Sequence, residues 1–275
     1  MILQVHTPAF PLNMYVSGLI YYDGFDPIHR MDRFLPDGNT ELILNLTEKP
    51  QYIYHNETLE EIQTCRHAWV SGVRTRPITI PSGKGSKMLI VAFKKGKAHS
   101  FYSFPMNELT DWVVEADLVF GRNILNLREQ LLATSSIDRM FCLVERFLLQ
   151  KAENTLPLDS MYPCVEYAVS RITNQPNDLG LRHLNGQIGY SQKHFISLFK
   201  KQVGVAPKQY LKIMRFQKAI QQIEKDTTTA WSEIARQSGF YDQAHFINEF
   251  KAFSGFTPGE YVKRKSHQLN YIPVA

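Results

Sequence analysis

The last third of this 275-residue chain repeats itself. The first copy runs Leu184-Asn185-Gly186-Gln187-Ile188-Gly189-Tyr190-Ser191-Gln192-Lys193-His194-Phe195, then Phe199-Lys200, Gly204, Pro207 and Tyr210. The second runs Ile234-Ala235-Arg236-Gln237-Ser238-Gly239-Phe240-Tyr241-Asp242-Gln243-Ala244-His245-Phe246, then Phe250-Lys251, Gly255, Pro258 and Tyr261. The copies agree at the Gly-aromatic pair, Gln, His-Phe, Phe-Lys, Gly, Pro and Tyr, with one residue inserted at the second turn. Ordered matches of this kind mark one supersecondary unit used twice.

Each copy has the physics of a helix-turn-helix. A short helix ends at Gly189 or Gly239, where a positive φ is easily reached. Ser191 or Asp242 then offers a side-chain oxygen to cap the next helix. That helix stops before Gly204 or Gly255, and Pro207 or Pro258 opens the following one. At about 100° per residue, Phe195, Leu198, Phe199 and Gln202 share one side of the first capped helix. Lys193, Ser197 and Lys200 point the other way, flanked by Ile196 and Lys201. In the second, Phe246, Phe250 and Phe253 form the core side. Ala244, Asn248 and Lys251 lie opposite, with Ile247 flanking and Gln243 near the start. Such outward faces suit a groove floor with phosphates at its rim. Asn pairs with adenine, Lys with guanine or phosphate, and Ala or Ile touches a thymine methyl.

Charge agrees with this. Residues 180–265 hold 14 Lys and Arg against 6 Asp and Glu, an excess of +8. The chain carries +5 in all, so the remainder is −3. A basic third beside an acidic remainder points to a polyanionic partner. The competing reading is a helical bundle with a solvated basic surface, but two aligned copies in the basic part of the chain disfavour it. His194 and His245 have no partner at metal-ligand spacing and read as packing or phosphate-facing residues. Pro207 to Glu224 reads as one amphipathic helix on Leu211, Met214, Ala219 and Ile223. Its length of about 26 Å approaches the roughly 34 Å between successive major-groove faces, and bending the DNA would cover the shortfall.

The first hundred residues read as strands and turns. Glu41–Leu46 looks like a half-buried strand after the turn-prone Pro36-Asp37-Gly38-Asn39. Gln51–Tyr54, Ala68–Gly72, Ile78–Ile80 and Met88–Phe93 follow at spacings that suggest a sandwich or barrel. From Met106 to Gln150 apolar residues recur at helical spacing, giving two or three helices, the last about Ser136–Lys151 with Ser136 as its cap. The expected organisation is α+β and multidomain. A β-rich unit spans 1–105, a helical subdomain 106–151, a linker 152–158, the two helix-turn-helix units 159–265, and a tail 266–275. No apolar run is long enough for a membrane span, and no signal peptide is evident at the N-terminus. Cys65, Cys142 and Cys164 are odd in number and widely spaced, which disfavours disulfides and zinc and fits a reducing cytoplasm.

The second copy resembles the AraC/XylS family of transcription regulators most closely. Ile234-Ala235, Gly239-Phe240, His245-Phe246, Phe250-Lys251, Gly255, Thr257-Pro258 and Tyr261 match its C-terminal signature, and Arg215 and Ala219 fit the linking helix. The resemblance covers about Leu158 to Lys265. It implies a seven-helix DNA-binding domain with recognition helices at about Gln192–Gln202 and Gln243–Phe253. The positions matching base-facing ones are Lys193, Ile196, Ser197, Gln243, Ala244, Ile247 and Asn248. Gln192, Lys200, Lys201, Arg215 and Lys251 are the candidate phosphate contacts. Two departures stand out. Asn185-Gly186 replaces a small residue and a helix former, and glycine there costs about 1 kcal/mol of helix stability. Ala244 and Ile247 leave the second helix few long hydrogen-bonding side chains, which implies loose specificity.

The N-terminal part resembles the cupin-like sensor domains attached to this family. Phe34-Leu35-Pro36-Asp37-Gly38 before Glu41-Leu42-Ile43, and Ser71-Gly72-Val73-Arg74-Thr75-Arg76-Pro77, carry that resemblance. It implies a small effector or a dimer, with the dimer contact at about Asn107–Gln150, and an activator working with RNA polymerase. The competing reading is a regulator controlled by protein contacts or abundance, with a filled barrel. A cupin-type enzyme fused to a DNA-binding domain is disfavoured, because His6, His29, His55, His67 and His99 are scattered and form no H-x-H pair. No Gly-rich phosphate loop or G-x-S-x-G elbow occurs. Cys65 beside Arg66 and His67 is the nearest candidate nucleophile, though an incidental cysteine is the simpler reading. No cofactor, metal or catalytic residue is expected. Trp69 and the N-terminal tyrosines are candidates for a pocket lining.

Overall fold

A computed structural model describes residues 1–152, 162–177, 181–226, 228–266 and 269–274. The expected linker beyond Ala152 and the expected start of the C-terminal domain lie outside the described residues.

Ten strands precede the helices: β1 Ile2–His6, β2 Val16–Asp23, β3 Met31–Phe34, β4 Glu41–Asn45, β5 Gln51–Tyr54, β6 Glu61–Cys65, β7 Ala68–Ser71, β8 Ile78–Pro81, β9 Lys87–Phe93 and β10 Val113–Glu115. An eleventh, β11 Tyr271–Pro273, comes from the other end of the chain. They form two antiparallel sheets, β1-β2-β9-β4-β7-β10 and β11-β3-β8-β5-β6. In register, β4 lies between β9 and β7, with Ile43 opposite both Ile90 and Trp69.

The six-stranded sheet is covered on both faces, and side-chain alternation sorts its residues between two cores. Leu42 and Leu44, Ala68 and Val70, Leu89, Val91 and Phe93 face one core. Ile43, Trp69 and Met88 face the other, between the sheets. β4 is therefore buried on both sides, not half-buried as its sequence suggested. Against the first core pack α1 Ala116–Phe120, α2 Arg122–Leu132 and α3 Ile137–Ala152. The Arg139 amide donates to Ser136 Oγ at 3.3 Å, the expected cap. The stretch expected to be helical from residue 106 also contains β10, which pairs with β7. The expected tail contributes β11, which pairs with β3. Strands of three residues carry too little alternation to declare themselves.

The C-terminal part holds seven helices among the described residues: α4 Pro163–Asn174, α5 Leu181–Ile188, α6 Gln192–Val203, α7 Pro207–Lys225, α8 Trp231–Gln237, α9 Gln243–Ser254 and α10 Pro258–Arg264. The repeated apolar positions are its core. Phe195 and Phe246, Phe199 and Phe250, Tyr210 and Tyr261 are all 2% exposed or less. Burying an aromatic or large aliphatic side chain contributes about 1.5–3 kcal/mol, which is why these positions recur in both copies.

The two parts dock through several polar ties. Gln217 on α7 donates to the Pro36 carbonyl at 2.7 Å, and Gln202 on α6 to the Gly96 carbonyl at 3.2 Å. Thr110 donates to the Gly204 carbonyl at 2.7 Å, and Lys97 pairs with Glu166 on α4. Leu35, Val73 and Ile272 from the two-sheet domain enter the helical core itself.

Candidate nucleic-acid interface

Both turns are built as the repeat requires. Gly189 has φ +75° and Gly239 φ +81°. Ser191 Oγ accepts from the His194 amide at 3.3 Å, starting α6. Asp242 Oδ1 accepts from the His245 amide at 2.7 Å, starting α9. A side chain at Gly239 would stand 2.5 Å from Asn177 Cα, so the second turn is seated against the end of the α4 connection.

On α6, Gln192, Lys193, Ser197, Lys200 and Lys201 are exposed, and Ile196 is half-buried. On α9, Gln243, Ala244, Asn248 and Lys251 are exposed, while Ile247 is half-buried and packs on the core. The two-sheet domain meets α6 at its C-terminal end, through Gln202 and Gly204, which lie away from this outward face. The outward residues thus form two polar, cationic strips on equivalent helices of the repeat.

Arg215 stands apart from the other candidate phosphate contacts. Its guanidinium is half-buried and Nε donates to the Pro176 carbonyl at 2.9 Å. Lys218 similarly donates to Asn177 Oδ1 at 2.9 Å. Both side chains pin α7 to the residue 176–177 turn. The sequence alone leaves a phosphate role open for Arg215, since it does not reveal an acceptor brought in from a distant turn.

The sequence reading passed over Tyr241, which is 92% exposed at the mouth of α9. It occupies the residue inserted in the second copy, and that insertion was the available signal. Glu249 was also passed over. It holds Lys212 of the linking helix at 2.8 Å and lies 4.0 Å from His245 Nε2, which places one carboxylate on the flank of the second strip. His194 instead lies against Tyr190, the two rings tilted, with centroids 5.1 Å apart.

Between the two sheets lies a cavity of about 120 Å³, lined in part by Tyr22, Glu41, Ile43, Trp69, Met88 and Tyr271. Burial, with repulsion from Asp37 and partial relief from Lys95, pushes the Glu41 carboxyl up to about 8. Lys95 is itself held by the Asp37 carbonyl at 2.5 Å and Asn39 Oδ1 at 2.7 Å. Cys65 lines the same cavity and is not an activated thiol. Burial first, then the Glu115 carboxylate, pushes it up to about 12, so the neighbouring Arg66 and His67 do not make it a thiolate. Among the described residues no group of three or more His, Cys, Asp or Glu is arranged to hold a metal, and no helix is long and apolar enough to cross a membrane.

Residues 185–264 match a family of helix-turn-helix domains. The C-terminal part is an AraC/XylS-type helix-turn-helix domain. Relatives of this AraC/XylS-type domain include the probable transcriptional regulator LumQ of Photobacterium leiognathi, 26% identical over 133 residues, 48% of this chain and 52% of that protein. The lactose operon transcription activator of Staphylococcus xylosus is 29% identical over 108 residues, 39% of this chain and 38% of that protein. The chain thus spans about half or less of the length of these relatives. Residues 4–115, ahead of the AraC/XylS-type domain, match a family described as a domain of unknown function. Among solved structures, ToxT from Vibrio cholerae aligns over 96% of this chain and 98% of its own, at 11% identity and a TM-score of 0.47.

Proposed function

We propose that this chain is a sequence-specific DNA-binding transcription regulator, an activator that acts with RNA polymerase. The observation that carries the reading is the pair of outward strips on α6 and α9, presented on duplicated, capped helices. Lys193, Ile196 and Ser197 read one major-groove segment; Gln243, Ala244, Ile247 and Asn248 read the next. Gln192, Lys200, Lys201 and Lys251 hold phosphates at the groove rims, and Tyr241 packs against the backbone at the mouth of α9. α7 spaces the two helices, its 19 residues spanning about 28 Å.

The two-sheet domain acts as a cupin-like sensor whose cavity admits a small effector, and this favours ligand gating over a filled barrel. Residues 107–150 supply a dimer contact, supported by Leu118 at 78% and Leu132 at 43% exposure on α1 and α2. The protein works in the cytoplasm, where DNA and polymerase are.

The test is selection of bound fragments from a random DNA pool, followed by anisotropy titrations at rising salt. Enrichment of a motif spanning two groove segments is expected, with affinity falling at least about ten-fold between 50 and 200 mM salt as counterions are released. No enriched motif and a flat salt response would sink the reading.

A further inference from the structure

Glu41 is the unusual group in the two-sheet domain. By strand alternation it shares the inner face of β4 with Ile43, and both line the cavity. Among the described residues no hydrogen bond reaches its carboxyl, which feels only the longer-range charges of Asp37 and Lys95. The half-buried carboxyl faces the cavity, and an unpartnered polar group drawn away from bulk water costs stability unless something in the cavity completes it. The rest of the lining is mainly apolar or aromatic, with Trp69, Ile43 and Met88 on one sheet, and Gln51 and Ser71 add polar side chains. Tyr22 already donates its hydroxyl to Met88 Sδ at 3.0 Å. Among the described residues no lysine or arginine lines the cavity, so no lining cation is there to pair with an anion.

The cavity wall also includes one residue from the far end of the chain. Tyr271 on β11 lines it, while the next residue, Ile272, is fully buried in the helical core. On the other side of Tyr271, Asn270 Oδ1 accepts from Gln217 of α7 at 2.9 Å. One short strand therefore has one side chain in the cavity and two neighbours fastened to the helix-turn-helix domain.

We propose that this cavity binds a small, mainly apolar ring compound with a hydroxyl or amine donor for Glu41, and that Tyr271 transmits its presence to the helix-turn-helix domain. The inference rests on reading the two-sheet domain as a sensor. A neutral donor satisfies the carboxyl as it stands. An amine draws its proton away and pairs with the carboxylate, with the charge compensated inside the site. A carboxylate ligand meets the Glu41 carboxyl, with no lysine or arginine among the lining residues to receive it.

Full-length protein is titrated with benzylamine, benzyl alcohol, toluene and benzoate, read by calorimetry and thermal shift. The amine and alcohol are expected to bind at least ten-fold more tightly than toluene and benzoate. Glu41→Leu is expected to abolish that preference while toluene still binds. Should that variant fail to fold, Glu41→Gln is expected to keep the alcohol, through its amide oxygen, and to lose the amine preference. Equal binding of all four compounds, or tightest binding of benzoate, overturns the ligand assignment. Saturating benzylamine is expected to change affinity for a selected DNA fragment at least three-fold in the natural chain and not in Tyr271→Ala. An unchanged affinity in the natural chain, or an equal change in the variant, overturns the coupling. DNA binding without any ligand preference sinks this inference alone. Ligand preference without DNA binding sinks the regulator reading and leaves the site.

Discussion

The His245 amide donates to the Asp242 carboxylate at 2.7 Å, and its counterpart in the first copy joins His194 to Ser191 at 3.3 Å. Both bonds satisfy a backbone donor that would otherwise be orphaned at the helix start, and the Asp242 charge also meets the positive end of the α9 dipole. Asp242→Ala is expected to lower unfolding stability by about 1 kcal/mol. Ser191→Ala belongs in the same range, at its lower end because its bond is longer and uncharged. Urea midpoints measure both. A loss near zero in Asp242→Ala would show that packing alone positions α9.

The two strips predict different signatures for different residues. Lys193→Ala and Asn248→Ala are expected to relax preference at particular base pairs, each costing about 1–3 kcal/mol of discrimination. Lys200→Ala is expected to weaken all sequences alike and to reduce the salt slope by about 1. Arg215→Ala is expected to act first on stability, because its Nε holds the Pro176 carbonyl. Binding selections on the variants, with titrations at several salt concentrations, separate these cases. A Lys200→Ala protein with altered base preference would move that residue onto the groove floor.

Two glycines make opposite predictions. Gly186 lies within α5, with no positive φ and open space within 4 Å of where a Cβ would stand, so Gly186→Ala is expected to stabilise the chain by about 0.5–1 kcal/mol. At Gly72 a Cβ would stand 1.9 Å from the Leu109 carbonyl oxygen, a backbone atom that cannot swing aside. Gly72→Ala is expected to cost about 3 kcal/mol or more through forced backbone movement. Thermal melts of both variants, run together, give the comparison. Equal effects would contradict the close approach of residues 72 and 109.

The C-terminal half of the fold was legible because its signals are local. Gly189 and Gly239 end helices, Ser191 and Asp242 start them, and a helix expected at Pro207–Glu224 runs Pro207–Lys225. The same holds for β5, read at Gln51–Tyr54 and found there. What stayed hidden depends on distant partners. β11 is three residues whose meaning comes from β3, more than two hundred residues earlier in the chain. β1 is exposed along four of its five residues and offers no alternation to read. Arg215 looked like a surface cation because the Pro176 carbonyl that holds it comes from a turn outside its own helix. Glu41 looked like the polar start of an ordinary strand. Its place in the cavity wall follows from sheet parity together with the second sheet, neither of which a single strand reveals.

Glu41 also predicts a pH dependence of stability. Its carboxyl titrates at about 8 in the folded chain against an ordinary 4.5, because burial and Asp37 disfavour its charge. Between those values the folded state holds a proton that the unfolded state has released. Stability therefore decreases as pH rises through this window, since it increases with pH only where the unfolded state binds more protons. Asp37 is raised by its own burial and acts in the same direction. Glu41→Gln removes one of these contributions, so its stability is expected to fall less between about pH 5 and pH 8 than that of the natural chain. Urea midpoints at pH 5, 6, 7 and 8 for both proteins provide the check. Parallel curves would mean that Glu41 carries its charge in the folded state, paired with Lys95 or solvated through the cavity.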